Sequence, residues 1–201
     1  MEVRNFKEQD LDAVCDLHMW AFKDHLNVLL GKTYIRAFLK WLIGRDDCIN
    51  VVGIMDQGAT GGYIVGATWG YQQQMNKSLF KIAAIEMLKR PWLLVHKKII
   101  FSVCLRVKTI LGLNKFIGKT SARYEGKILS LVGIGVAENA QGSGIATRMM
   151  EAFINQAKGA GYDFVRLSVY SSNERARRFY EKTGWQPEIT NKPVMGYYKK
   201  L

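Results

Sequence analysis

The chain has 201 residues, 48% of them hydrophobic and 23% charged, with only 3 prolines. That composition suits one folded domain with a sizeable core and excludes a disordered or collagen-like chain. The formal net charge is +12. Cys15, Cys48 and Cys104, and His18, His25 and His96, are dispersed without metal-ligand spacing, so neither a zinc site nor a disulfide framework is expected. Met1-Glu2-Val3-Arg4 lacks the apolar run of a signal peptide, and no apolar stretch approaches the ~20 residues of a membrane span. A cytoplasmic location follows as the expectation, with contact to the inner membrane surface left open.

Taken in chain order, Glu2 to Phe6 suits a short strand. Asp10 to Lys23 is an amphipathic helix with Leu11, Val14, Leu17, His18 and Ala21 on one stripe; His18 there is expected to be a core histidine. Lys32 to Ile43 predicts a second helix carrying Tyr34, Ile35, Phe38, Leu39 and Leu42, ended by Gly44. Cys48 to Met55 and Gly62 to Tyr71 read as paired strands around Asp56-Gln57-Gly58.

Residues 72–122 form a basic insertion. Its ten basic residues (Lys77, Lys81, Lys89, Arg90, Lys97, Lys98, Arg106, Lys108, Lys115 and Lys119) face one acid, Glu86, and so supply a net +9 of the chain's +12. Apolar residues interleave with them, which predicts two helices, the second starting at or near Pro91. A basic amphipathic pair suits anionic lipid or a phosphorylated substrate, or packs on the core while its lysine stems reach water. Nucleic acid fits least, because no nucleic-acid fold signature accompanies the charge.

After the insertion, Ile128 to Val136 is an apolar strand. It leads into Gln141-Gly142-Ser143-Gly144-Ile145-Ala146. Ile145, Met149, Ala152, Phe153 and Gln156 then fall at helical spacing up to Gly159 and Gly161. A strand turning through two glycines into a helix gathers free amides and the positive helix end at one point, which makes an anion site. It is not a Walker loop, since Gly144 precedes Ile145 and Ala146. It is not a dinucleotide fingerprint either, since Glu138 or Thr147 stands where the third glycine would be. Asp163 to Tyr170 is a further strand. Ser171 and Glu174 have capping-box spacing, so a helix is predicted from near Ser172 to a stop at Gly184, with Asn173, Ala176 and Tyr180 on one face. Trp185 to Ile189 and Val194 to Lys199 predict two closing strands.

The Gly turn and the segment from Asp163 to Trp185 together resemble the GNAT superfamily of acyl-CoA-dependent N-acetyltransferases. The matching pattern is Gln/Arg-x-x-Gly-x-Gly/Ala followed by strand, Asn, Ala, Phe-Tyr-Glu and Gly-aromatic. The resemblance implies a mixed α/β fold: a twisted sheet of about six to seven strands flanked by helices, parallel across the crossover helix 142–159. The basic helical insertion would lie between strands 3 and 4 of a single domain, 1–201. It implies acetyl-CoA as acyl donor and no metal. Ile134, Gly135 and Val136 would bind the pantetheine arm, and Gln141, Gly142, Ser143, Gly144, Ile145, Ala146 and Thr147 the pyrophosphate. Asn173 and Ala176 would meet the arm, and Tyr180 would protonate the departing thiolate. The acceptor would lie near Phe22, His25, Trp69 and Tyr71, beside Trp20 and Leu26. Glu125 and Glu138 are weak candidates for the base, which stays unassigned. The basic insertion and the Leu30 to Tyr34 run look like members acting on surface-polysaccharide or amino-sugar precursors, so a nucleotide-linked amino sugar is the first acceptor to consider. A peptide N-terminal acetyltransferase and a non-catalytic, membrane-associated acyl-CoA-binding module remain alternatives. Homodimerisation is left open.

Overall fold

A computed structural model describes residues 1–23, 25–56, 58–95, 125–188 and 193–201. Seven strands form one sheet: β1 (Glu2–Asn5), β2 (Cys48–Ile54), β3 (Thr60–Thr68), β4 (Ile128–Val136), β5 (Phe164–Tyr170), β6 (Gln186–Glu188) and β7 (Val194–Lys200). Their spatial order is β1-β2-β3-β4-β5-β7-β6. All neighbours are antiparallel except β4 and β5, which run parallel. That parallel pair is joined by α5 (Ile145–Gly159), the crossover a parallel connection requires. The remaining helices among the described residues are α1 (Leu11–Ala21), α2 (Leu26–Leu29), α3 (Lys32–Ile43), α4 (Tyr71–Lys89) and α6 (Glu174–Lys182).

Alternation along β2 and β3 splits the core in two. Val52, Tyr63, Val65 and Ala67 face Leu11, Val14, Ile35, Phe38 and Leu39 of α1 and α3, with Met75, Leu79 and Ala83 of α4 extending the layer. Val51 and Ile64, with Leu129 and Leu131 of β4, face Ile145, Met149 and Phe153 of α5. Phe153 is fully buried, and full burial of such a ring is worth about 1.5–3 kcal/mol. At the edge, the Arg4 guanidinium holds both oxygens of buried Asp10 at 2.7 Å, tying β1 to the start of α1. That pairing keeps the Asp10 carboxyl below its usual range.

Three boundaries differ from expectation. Gly70 adopts a φ of 89°, which turns the chain after Thr68, so Tyr71 opens α4 instead of ending β3. The cap of α6 is Asn173, not Ser171 in a capping box: Asn173 Oδ1 accepts from the Ala176 N–H at 3.1 Å. Beyond Pro91 a single 3-10 turn runs from Pro91 to Val95, and the rest of the expected second insertion helix lies outside the described residues. So do Gln57 of the expected turn and Ile189 of the expected closing strand. No helix among the described residues is long and apolar enough to cross a membrane.

Candidate active site

The parallel pair is short. β4 and β5 pair only at Ile128 with Phe164, Leu129 with Val165, and Ser130 with Arg166. Beyond that point β5 stays paired with β7 as far as Tyr170, and β4 stays paired with β3 as far as Val136, so the sheet opens into a wedge between them. An extra residue in β4, Val132, shifts its register against β3, with Val65 opposite Gly133 and Gly66 opposite Leu131. Such a bulge bends and twists its strand, in keeping with the divergence from β5.

Strand alternation fixes what faces the wedge. The Ala137 N–H donates to the Gly61 carbonyl at 2.9 Å, towards β3. Two-residue periodicity therefore turns the Gly135 main chain towards β3, and the main-chain groups of Val136 and Ile134 towards the open gap. Gly135 lacks a side chain for a steric reason: a Cβ there would lie 2.5 Å from Cε1 of Tyr63, a ring with no solvent exposure.

At the wide end of the wedge stands the glycine turn. Gly142 and Gly144 have φ of 80° and 84°, and a Cβ on either would meet nothing within 4 Å, so the turn lies open. The Ser143 hydroxyl donates to the Ala140 carbonyl at 2.7 Å and receives the Ile145 N–H at 3.4 Å. The Thr147 and Arg148 N–H groups both return to the Gly144 carbonyl. The N–H groups of Gly142, Gly144 and Ala146 find no partner among the described residues. They sit at the positive end of a fifteen-residue helix, which favours an anion. Arg175 of α6 donates to Gln141 Oε1 at 2.7 Å, bringing a cation and a second helix start to the same place.

From that start α6 carries Asn173, Ala176 and Tyr180. Tyr180 is 5% exposed and belongs to the buried cluster containing Leu131 and Leu167, where the strands part. Its ring lies 5.7 Å from Trp185 and 5.8 Å from Tyr197, and its hydroxyl has no hydrogen-bond partner among the described residues. Burial raises its pKa well above the ordinary tyrosine range, so it holds a proton at neutral pH.

On the opposite face, rings bridge from α1 to the end of β5. His18 stacks on Phe22 at 4.7 Å, Phe22 meets His25 at 4.9 Å, and His25 meets Tyr170 at 5.7 Å. His18 Nδ1 lies 2.6 Å from the Tyr63 hydroxyl in the core, and burial lowers its pKa to about 4. It is the core histidine expected from the sequence. Phe22 and His25 are thus brought together, but Trp69 and Tyr71 are not beside them. Trp69 lies under the Arg166 guanidinium at 4.8 Å, at the closed end of the wedge. Arg166 pairs in turn with buried Glu188 at 2.6 Å. Tyr71 packs on Trp41 of α3 at 6.4 Å, where burial raises its pKa to about 12. Glu125 and Glu138 are exposed at either end of β4. Sequence reading missed Tyr170, Arg166 and Arg175. The first closes a predicted strand and the third sits inside the predicted motif, but nothing local marks either as facing this site.

No group of three or more metal-binding side chains gathers among the described residues. The arrangement offers main-chain donors and acceptors along a narrow gap, an anion site at its wide end, and a protonated phenol against its wall. That suits an extended ligand ending in phosphate, with proton delivery to a leaving group.

Residues 88–185 match the model of the Acetyltransferase (GNAT) family. The ribosomal-protein-alanine N-acetyltransferase of Brucella melitensis superposes with a TM-score of 0.61 at 15% identity, covering 100% of both chains. An N-acetyltransferase from Staphylococcus aureus Mu50 gives 0.61 at 15% identity, covering 99% of this chain and 97% of that one. A tetramutant of the Bacillus halodurans protein BH1408 gives 0.59 at 18% identity, covering 95% and 97%. No curated protein matches the sequence. The family model spans the wedge, the glycine turn and α6, and the fold agrees over nearly the whole length: residues 88–185 belong to the GNAT family of acetyltransferases, within a chain that has the fold of those acetyltransferases.

Proposed function

We propose that the protein moves an acetyl group from acetyl-CoA to the primary amine of a small molecule, by direct attack of the amine on the thioester. The observation that carries this reading is the wedge: main-chain groups of Ile134 and Val136 face a gap that ends at the unpartnered amides of Gly142, Gly144 and Ala146. In this reading Ile134, Gly135 and Val136 align the pantetheine arm and polarise the thioester carbonyl. Oriented N–H groups at a developing oxyanion are worth ~10²–10³ in rate. The segment from Gln141 through Thr147 holds the pyrophosphate, with Ser143 bracing the turn and Ile145 anchoring it in the core. Ala176 and the amide nitrogen of Asn173 meet the arm; the Asn173 oxygen is already committed to its cap.

The amine nitrogen bonds to the carbonyl carbon, the carbon–sulfur bond breaks, the thiolate takes the Tyr180 proton, and the proton shed by the acylated nitrogen returns to Tyr180 through water. The amine must arrive neutral or lose its proton to water. Glu125 and Glu138, both exposed at the ends of β4, are not assigned as base. Phe22 and His25, joined by Tyr170, form one wall of the acceptor site, and Trp69, under Arg166, lies apart from them at the closed end of the wedge. Tyr71 drops out of the acceptor set because it is used between α3 and α4.

A nucleotide-linked amino sugar is the first acceptor class, since the chain's excess of positive charge suits a diphosphate. A peptide N-terminus is the second reading, favoured by the name of the Brucella neighbour. The test is CoA release from acetyl-CoA against nucleotide-linked amino sugars, polyamines, aminoglycosides and N-terminal peptides. Turnover with one of the three small-molecule classes supports the proposal, and turnover with peptides alone replaces it by the second reading. A preparation that does not bind acetyl-CoA sinks both.

A further inference from the structure

Helix α4 has two faces of opposite kinds. Inward, Met75, Leu79 and Ala83 pack on the core, joined by Leu93 from the following 3-10 turn. Outward, Phe80 is 69%, Ile85 51% and Leu88 78% exposed, with Trp92 of the turn at 63%. Lys77, Lys81, Ile85 and Leu88 recur at spacings of four, four and three, so they line one stripe, with Phe80 beside it. Lys77 and Lys81 make no ion pair among the described residues.

The only acid of α4 is absent from that outer face. Glu86 is 2% exposed and turned inward, held by Lys89 at 2.9 Å and Arg90 at 2.8 Å. Arg90 also donates to the Leu30 carbonyl at 2.5 Å, anchoring the end of α4 to the loop before α3. The outward stripe therefore presents cations and large apolar side chains with no negative charge between them.

We propose that the outer face of α4, with Trp92, docks on anionic lipid bilayers. A protein partner fits the composition less well, because lysine is depleted from protein interfaces while these apolar groups sit between lysines on a convex helix. A bilayer takes both at once: the apolar side chains enter the acyl boundary and the ammonium groups reach the headgroup phosphates. The proposal is independent of the reaction catalysed.

The test is sedimentation of the full chain with phosphatidylcholine vesicles containing about one-third phosphatidylglycerol, beside vesicles of phosphatidylcholine alone. The expected result is binding to the anionic vesicles only, weakening as salt rises. A lysine near such a surface is worth about fivefold in partition, so Lys77→Gln with Lys81→Gln should cost more than tenfold. Leu88→Ser, which removes an apolar anchor and no charge, should lower binding to a similar degree. Neither variant should change the melting temperature or acetyl-CoA binding, since all three side chains are exposed. Lys158→Gln with Lys200→Gln, on other elements, serves as the charge-matched control. Equal loss in that control, equal binding to neutral vesicles, no binding at low salt, or full binding by Leu88→Ser would each overturn the proposal.

Discussion

Replacing Tyr180 by phenylalanine separates a catalytic hydroxyl from a packing ring, because the structure makes the two roles independent. The ring packs against Trp185 and Tyr197, and phenylalanine keeps those contacts. The hydroxyl gives up no hydrogen bond to any described residue, so its removal leaves no orphaned partner among them. If Tyr180 serves packing alone, Tyr180→Phe should melt within about a degree of the native chain and turn over equally fast. If it protonates the leaving thiolate, stability and acetyl-CoA affinity should hold while kcat falls by ~10²–10⁴. That fall corresponds to roughly 3–5 kcal/mol of transition-state stabilisation. The assay is steady-state CoA release with the acceptor found in the panel, with acetyl-CoA binding measured by calorimetry. An unchanged kcat would remove Tyr180 from the mechanism. A fall in kcat matched by a fall in melting temperature would refute the separation of roles itself.

His18 has a folded pKa of about 4 against an ordinary value near ~6.5, so the unfolded chain takes up its proton first. Its contribution to stability is therefore complete above ~6.5 and lost as pH falls towards ~4, by on the order of 3 kcal/mol. Thermal melts should show that slope flattened in His18→Gln, and parallel curves would refute it. Gly135→Ala should cost about 1–3 kcal/mol, because its Cβ meets the immobile Tyr63 ring, and adding Tyr63→Leu should show coupling between the two sites in denaturant unfolding. Gly142→Ala and Gly144→Ala meet no steric obstacle and should each lose about 1–2 kcal/mol from their left-handed backbone alone, as should the control Gly58→Ala with a φ of 77°. Only the first two should raise the KM for acetyl-CoA; an equal rise in Gly58→Ala would break the link to the anion site.

Periodicity located the elements whose signal is local. Helix α3 runs from Lys32 to Ile43 and β4 from Ile128 to Val136, as their patterns predict, because one apolar face and a terminal glycine or charge suffice to mark them. The glycine turn was legible for the same reason. The α6 cap was not: Ser171 and Asn173 both suit the role, and the choice rests on the path by which β5 leaves the sheet. The bulge at Val132 depends on the register of β3, about seventy residues earlier in the chain. Gly133 adjoins the bulge, and Gly135 is explained by the Tyr63 ring. Tyr71 was misplaced because strand propensity continues past Thr68, and only the left-handed Gly70 stops it. The rings from Phe22 to Tyr170 belong to segments far apart in sequence, and no periodicity could have joined them.

A sheet of seven strands has two outer edges, here β1 and β6, yet this one carries a third in its interior. The part of β4 beyond Ser130 lies in mid-sheet and still offers unclaimed main-chain groups, as an edge strand does. The Ile134 and Val136 amides should therefore exchange with solvent faster than those of β3, although both strands lie at the centre of the molecule. Because the wedge narrows to closure at Ser130, another sheet cannot dock there, and only a single thin chain fits. Recognition of that kind draws on the backbone, which every residue type supplies. Side chains around it carry none of that task, and the neighbours that keep the fold over nearly the whole length share only 15–18% of its residues.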